Sequence, residues 1–319
     1  MKKYIKQNYI LLLTIMAAML SACEHKPLYT RDGGGEPDDR PYGYVKVNFD
    51  WSELEDPSDL PEGIKLYAFD ETGGKKEYIL SPDFNDYIKI PTGVNYLVFA
   101  ANDNDKVDLV DVTSPTTCEM HYIGTRESEI LPPFYGGVLR TDIKGDTAKT
   151  TMVLSPRCKT KHIDFILKNS ESIMTAPRIT AAVTGLANKV NFLSELATDK
   201  SNSMRMSTLL SAVSATELNG GLRTLGVLTN GDPHQVIIAA YWIDGTIRAF
   251  LFEKQEITDK VNTLATEHRV TLEFDLMKDG VEISYDDPLF PKDGNGIITT
   301  TIDDFQEDGT IPVPAGGAK

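Results

Sequence analysis

Short runs in which apolar and polar residues alternate, each closed by Gly, Pro, Asn or Asp, recur along this chain, and a period of two is the period of a β-strand. Tyr44 to Trp51 is the clearest run. Val45, Val47, Phe49 and Trp51 share one face, and Lys46, Asn48 and Asp50 the other, as in a strand with one buried wall. Ile64 to Phe69 and Lys76 to Leu80 flank Thr72-Gly73-Gly74, a hairpin whose glycines take the positive-φ positions. Asp86 to Ile90 and Tyr96 to Ala101 repeat the arrangement around Pro91-Thr92-Gly93. Strands near Cys118 to Ile123, Val138 to Ile143 and Thr150 to Leu154 complete a first set.

Ser155-Pro156-Arg157-Cys158 interrupts the pattern, because a Pro cannot donate to a ladder. A second set follows. Ile163, Phe165 and Leu167 share a face within His162 to Leu167, and Arg178 to Val183 comes next. Gln235 to Ile243 and Thr246 to Glu253 flank Asp244-Gly245, the strongest short hairpin signal in the chain. Val270 to Leu276, Val281 to Tyr285 and Ile297 to Ile302 close the set. Helix is scarce: Leu186 to Leu196 suits a turn or two, and Asn202 to Asn219 a loop or edge strand. About 275 residues are more than one core usually holds. The pattern therefore predicts an all-β chain of two tandem antiparallel β-sandwiches, residues 42–156 and 157–319, each expected to fold independently.

The N-terminus carries Lys2, Lys3 and Lys6, an apolar stretch from Tyr9, and then Leu20-Ser21-Ala22-Cys23. A charged leader, a short apolar core and small residues before a Cys are the parts of a lipoprotein export signal. Residues 1–22 are then the signal peptide and Cys23 the lipidation site, its acyl chains holding the protein to an outer membrane. The alternative is an ordinary cleaved signal followed by a Cys. Residues 23–41 include Gly33-Gly34-Gly35 and almost nothing apolar, so they form a flexible tether of about 20–25 Å average span.

Charge narrows the partners. The chain has a net charge of −15, and −18 once Lys2, Lys3 and Lys6 leave with the signal. A nucleic-acid surface needs clustered Lys and Arg, and the one local cluster, Arg157, Lys159 and Lys161, suits a solvated linker. No nucleic-acid partner is expected.

These segments in this order resemble the FimB-type, fimbrillin-A-associated anchor lipoproteins of Bacteroides-type bacteria and their uncharacterised relatives. The resemblance rests on Leu20 to Cys23 with Glu24-His25-Lys26 behind it, Val45 to Trp51, Pro61 to Tyr67, Ile88 to Gly93 leading into Tyr96 to Asp103, and Ile302 to Phe305. It implies transthyretin-like sandwiches and a fimbrial anchor or accessory subunit at the cell surface, with fimbrial or other surface subunits as partners. Such a subunit would work by strand pairing at a sheet edge. Leu222 to Thr229, Ile297 to Ile302 and the tether are the candidate pairing segments; the alternative is that each completes its own sheet.

Catalysis finds no support in the motifs. His-Glu-x-x-His, Gly-x-Ser-x-Gly, a phosphate loop and Cys-x-x-Cys are all missing from the sequence. His25, His121, His162, His234 and His268 lack metal-ligand spacing, and Asp303 with Asp304 suits a solvated turn. No catalytic, cofactor or metal site is expected. Asn102 to Asp105 with Asp108 offers oxygen ligands for calcium, but without the Gly and Glu of an EF-hand. Cys118 and Cys158 could be free or bonded. The competing function is a carbohydrate-binding surface lipoprotein presenting Trp51, Trp242, Tyr241, Tyr285 or Tyr135 to glycan. Trp51 reads as core, one of Tyr241 and Trp242 must point outward or to the neighbouring sandwich, and Leu131 to Gly137 reads as an exposed aromatic loop or, alternatively, a turn folded back over the sandwich edge.

Overall fold

The computed structural model of the chain describes residues 41–101, 106–124, 131–145, 149–199, 203–229 and 231–284. The first strand set makes two facing sheets. β1 (Tyr42–Phe49) lies between β4 (Tyr87–Pro91), antiparallel to it, and β9 (Lys149–Leu154), parallel to it. Opposite runs an antiparallel sheet in the order β10 (Arg157–Cys158), β8 (Tyr135–Ile143), β5 (Gly93–Ala101), β2 (Ile64–Asp70), β3 (Lys75–Leu80). The alternation read in the sequence fills the space between them. Val45, Val47, Ile88, Ile90, Met152 and Leu154 meet Ile64, Leu66, Leu97 and Phe99 in one buried cluster, at about 1.5–3 kcal/mol for each large side chain. The turns behave as expected at Gly73, Gly93 and Gly245, whose φ angles are +85°, +101° and +84°. Gly74 has no positive φ, so only one of the two hairpin glycines is needed for the turn.

The second set repeats this connectivity strand for strand. β11 (Lys161–Lys168) lies between β16 (Glu217–Thr224), antiparallel, and β20 (Arg269–Asp275), parallel. The facing sheet runs β14 (Ser203–Leu209), β12 (Arg178–Ala187), β18 (Val236–Tyr241), β19 (Ile247–Phe252), β21 (Val281–Ile283). β21 leaves β20 to pair with β19 just as β10 leaves β9 to pair with β8. Short strands β15 (Ser211–Ala212) and β17 (Gly226–Val227) extend β16 and β12.

One local expectation is corrected. Leu186 to Leu196 is not helical but finishes β12 and forms β13 (Lys189–Asn191). The Asn202 to Asn219 stretch, expected as a loop or edge strand, is described from Ser203 and supplies edge strands β14 and β15 and the start of β16. A helix, α1 (Gln255–Asn262), occupies the β19–β20 connection, with Ile257 and Val261 buried against the core. A one-turn helix, α2 (Leu276–Asp279), follows β20, capped by the Asp275 carboxylate on Met277 N and Lys278 N.

The sets share a joint. β6 (Val107–Val110) and β7 (Glu119–Tyr122), from the long β5–β8 connection, form a third small sheet with β13 of the second set. Under it, Tyr67, Phe69, Val98 and Ala100, on the outer face of the first large sheet, join Met120, Leu131 and Phe134 and the main core of the second set in one continuous apolar cluster. The core thus crosses the Pro156 break.

Candidate functional site

The structure offers a partner a strand edge. β10 pairs with β8 only at Gly136 and Tyr135. From Gly137 to Ile143, β8 has β5 on one side and no strand on the other among the described residues. Unpaired N–H and C=O groups over seven residues are a template for an added strand. Gly136 seats this strand, since a Cβ there would stand 2.6 Å from the Phe99 carbonyl oxygen. The equivalent edge of the second set is covered over Ala249, Phe250 and Leu251 by β21. β3, the opposite edge of the first large sheet, carries Lys75 and Lys76, the usual guard against unwanted pairing.

Of the three pairing segments expected from sequence, only Leu222 to Thr229 lies among the described residues. It follows the second alternative: Leu222, Arg223 and Thr224 are paired to β11, and Gly226 and Val227 to β12. Those side chains complete their own sheets. Ile297 to Ile302 and the tether lie outside the described residues, as do Cys23, His25, Tyr285, Asp303, Asp304 and the Asn102 to Asp105 group. β8 itself was in view as a strand, but its open side is set by tertiary layout and leaves no periodic mark.

The basic cluster at the joint is not a solvated linker. Arg157 is exposed, but Lys161 is 1% exposed and Lys159 partly buried. Their ammonium groups lie 2.7 and 2.9 Å from the two carboxylate oxygens of Glu195, whose backbone holds a left-handed φ of 57°. Burial pushes the Glu195 carboxyl up, but the hydrogen bonds and charges of Lys161 and Lys159 outweigh it and hold it below the usual range. His268 stands 3.8 Å away and is pushed down, first by burial and then by Lys161. A second link joins the sets where Arg223 donates two bonds to Glu55, at 3.1 and 2.5 Å. The Arg223 bond, first among several causes, holds Glu55 low. Such paired groups fix the geometry of the joint.

The remaining candidates are structural. His234 is buried above Gly185, its ring nitrogens 3.1 Å from Thr184 O and 3.0 Å from Asn262 Oδ1. His121 pairs with Glu119 at 2.7 Å and His162 with Asp164 at 3.4 Å. Among the described residues no three His, Cys, Asp or Glu side chains are placed to share a metal ion. Cys118 and Cys158 are free thiols, and burial pushes Cys118 up to about 12. The exposed reading of the Leu131 to Gly137 loop is corrected: Leu131, Phe134 and Tyr135 are each 1% exposed, and the Tyr135 hydroxyl donates to Asp59 and accepts from Glu55 N. Trp51 packs on Phe49 and donates to Pro82 O, as a core residue does. Tyr241 is buried, and Trp242 is partly buried and donates to Thr175. No aromatic platform for glycan forms from these residues.

No family model matches the sequence, and no curated protein matches it significantly. Solved structures do match. A candidate adhesin from Bacteroides ovatus aligns over 76% of this chain and 94% of its own at 14% identity, with a TM-score of 0.56. A second, from Bacteroides thetaiotaomicron, aligns over 77% of this chain and 95% of its own at 11% identity, with a TM-score of 0.52. The fimbrial anchor protein Mfa2 of Porphyromonas gingivalis is a weaker match, 11% identical over 73% of this chain and 90% of its own, with a TM-score of 0.43. The fold of the described residues is therefore one that Bacteroides candidate adhesins share over nearly their whole length.

Proposed function

We propose that this chain is a non-catalytic cell-surface subunit of a fimbria-type assembly, an anchor or accessory component, joined to its neighbours by a strand added along the open edge of β8. The observation that carries the reading is that edge, seven residues of β8 without an outer partner among the described residues, on a fold shared with candidate adhesins. Residues 42–158 and 159–319 are its two domains, held together by the joint; β10 pairs with β8, so the break falls two residues beyond the boundary expected at Pro156. Cys23 carries the acyl anchor in the outer membrane, and residues 23–41 are the leash between the anchor and β1.

Successive N–H groups of a strand alternate sides. Of Thr141→Pro and Asp142→Pro, one therefore removes a donor on the open edge and the other a donor to β5. The variant that keeps the parent melting temperature is the edge variant, and cells carrying it are expected to retain far less fimbrial material than cells carrying the parent. Retention equal to the parent would refute pairing at β8. Cys23→Ala should abolish incorporation of labelled fatty acid; label still incorporated would refute the anchor.

A further inference from the structure

The two small sheets are equivalent in topology, yet their outer faces are finished differently. On the second, every cation of the central and edge strands has a carboxylate partner. Arg269 grips Asp164 at 2.6 and 2.9 Å, Lys168 meets Glu273 at 2.5 Å, and His162 stands 3.4 Å from Asp164. On the first, the outward positions hold Tyr42, Tyr44, Lys46 and Asn48 on β1, Tyr87 and Lys89 on β4, and Thr151 and Val153 on β9; the one carboxylate in this series, Asp50, follows the end of β1 at the rim of the sheet. Tyr44 stands opposite Lys89 and Lys46 opposite Tyr87, so ammonium and phenol alternate in a checkerboard. The Lys89 ammonium lies 5.6 Å from the Tyr44 ring centre, and neither lysine has a carboxylate partner among the described residues. Val153 at the border is 57% exposed.

A sheet face whose two lysines have no carboxylate partner among the described residues, on a chain of net charge −15, suits something anionic and extended. Lysine stems and tyrosine rings carry an apolar body and a polar tip, the combination that suits the boundary between headgroups and acyl chains. The face also lies where the chain arrives: β1 begins at Tyr42, directly after the segment that includes Cys23. We infer that the outer face of the β4–β1–β9 sheet docks on the anionic lipid surface to which the chain is tethered. The inference rests on the anchor reading for its placement. The leash keeps the face within reach of the bilayer, so weak attraction by a few lysines suffices to orient the molecule. The face would then lie against the membrane and turn the rest of the protein outward.

The test binds the full chain, purified from membranes, to vesicles of phosphatidylcholine alone or mixed with phosphatidylglycerol, and reads amine acetylation by mass spectrometry. Lys46 and Lys89 are expected to be several-fold protected on the mixed vesicles and unprotected on the neutral ones, with the protection lost in high salt. Lys168, ion-paired on the equivalent face, should label alike on both. Lys46→Glu with Lys89→Glu should keep the melting temperature and weaken binding to mixed vesicles beyond binding to neutral ones by at least about tenfold. Equal labelling of Lys46 and Lys89 on both vesicle types would overturn the proposal. So would protection by a soluble polyuronate and not by lipid, which would give the face to an acidic glycan. Failure to float on neutral vesicles counts against the acyl anchor alone. The face is then read on the mixed vesicles, and absence of binding there overturns it too.

Discussion

The two sandwiches use the same strand connectivity and differ in what is hung on it. Between β18 and β19 the second set closes with Asp244-Gly245, where Gly245 takes the positive φ. Between β5 and β8, at the equivalent place, the first set has a long connection containing β6 and β7. That connection reaches β13 and buries Met120, Leu131 and Phe134 with Tyr67, Phe69 and Val98 in the core of the second set. A sandwich stabilises itself through its inner faces; here the outer face of one large sheet is used as well, and the joint is made by an insertion and not by the repeated frame. The contrast continues at the edges, where β21 covers three residues of β19 and β10 covers two of β8.

The largest effect should come from cutting the joint. Burying five or six large apolar side chains there contributes on the order of 10 kcal/mol, comparable to the whole stability of an ordinary domain. Residues 42–158, which keep β10, expressed alone should therefore show no cooperative melt close to that of the intact chain. A melt matching the intact protein's would mean that the sets are independent and the joint incidental.

Next is the clamp. Glu195→Ala leaves Lys161 buried without its counter-charge and should cost about 3–5 kcal/mol by denaturant unfolding, whereas replacing Lys161 and Glu195 together by Met and Leu should recover most of it. The pH dependence has a definite sign. Because the folded-state Glu195 carboxyl lies below its unfolded value, its contribution is complete above roughly pH 4.3 and disappears as the pH falls through the lower folded value. Glu195→Gln should be less stable near neutrality and lose less between pH 5 and pH 3, both roughly set by the unfolded carboxyl. An unchanged acid profile would remove Glu195 from the account.

The smallest effect sharpens the comparison of faces. Arg269→Ala breaks the exposed pair with Asp164 and should change stability by less than about 1 kcal/mol. It leaves a carboxylate unneutralised, so Lys168 should still be acetylated alike on neutral and anionic vesicles, as in the parent, and protection of Lys168 by anionic vesicles would blur the contrast between the faces.

Much of the frame was legible because burial in a half-covered strand writes itself as alternation. Val45, Val47, Ile163, Phe165 and Leu167 all fall on the faces their spacing implies. Gly73, Gly93 and Gly245 mark turns for the steric reason that makes glycine tolerant of positive φ. The joint was not legible. β6 is four residues, Val107–Val110, too short for a period to establish itself. Lys161 reads as polar, and its burial depends on Glu195, remote in sequence and fixed in a left-handed turn. The Leu131 to Tyr135 run looks like a loop because of its two prolines, yet its apolar side chains plug the space between the sets. α1 carries few apolar residues, and Ile257 and Val261 suffice to seat it. The open side of β8 is a property of which strand stops early, which no local pattern encodes.

Hydrogen exchange along β8 tests the assembly account most directly. In the isolated protein, backbone amides of Gly137 to Ile143 that face the open edge should exchange quickly, while their neighbours bonded to β5 stay protected. In fimbria-bound protein the edge amides should gain protection, with β19 over Ala249 to Leu251 unchanged because β21 already covers it. Protection of the β8 edge that is the same free and assembled, or a gain that falls elsewhere and leaves β8 untouched, would contradict strand addition at this site.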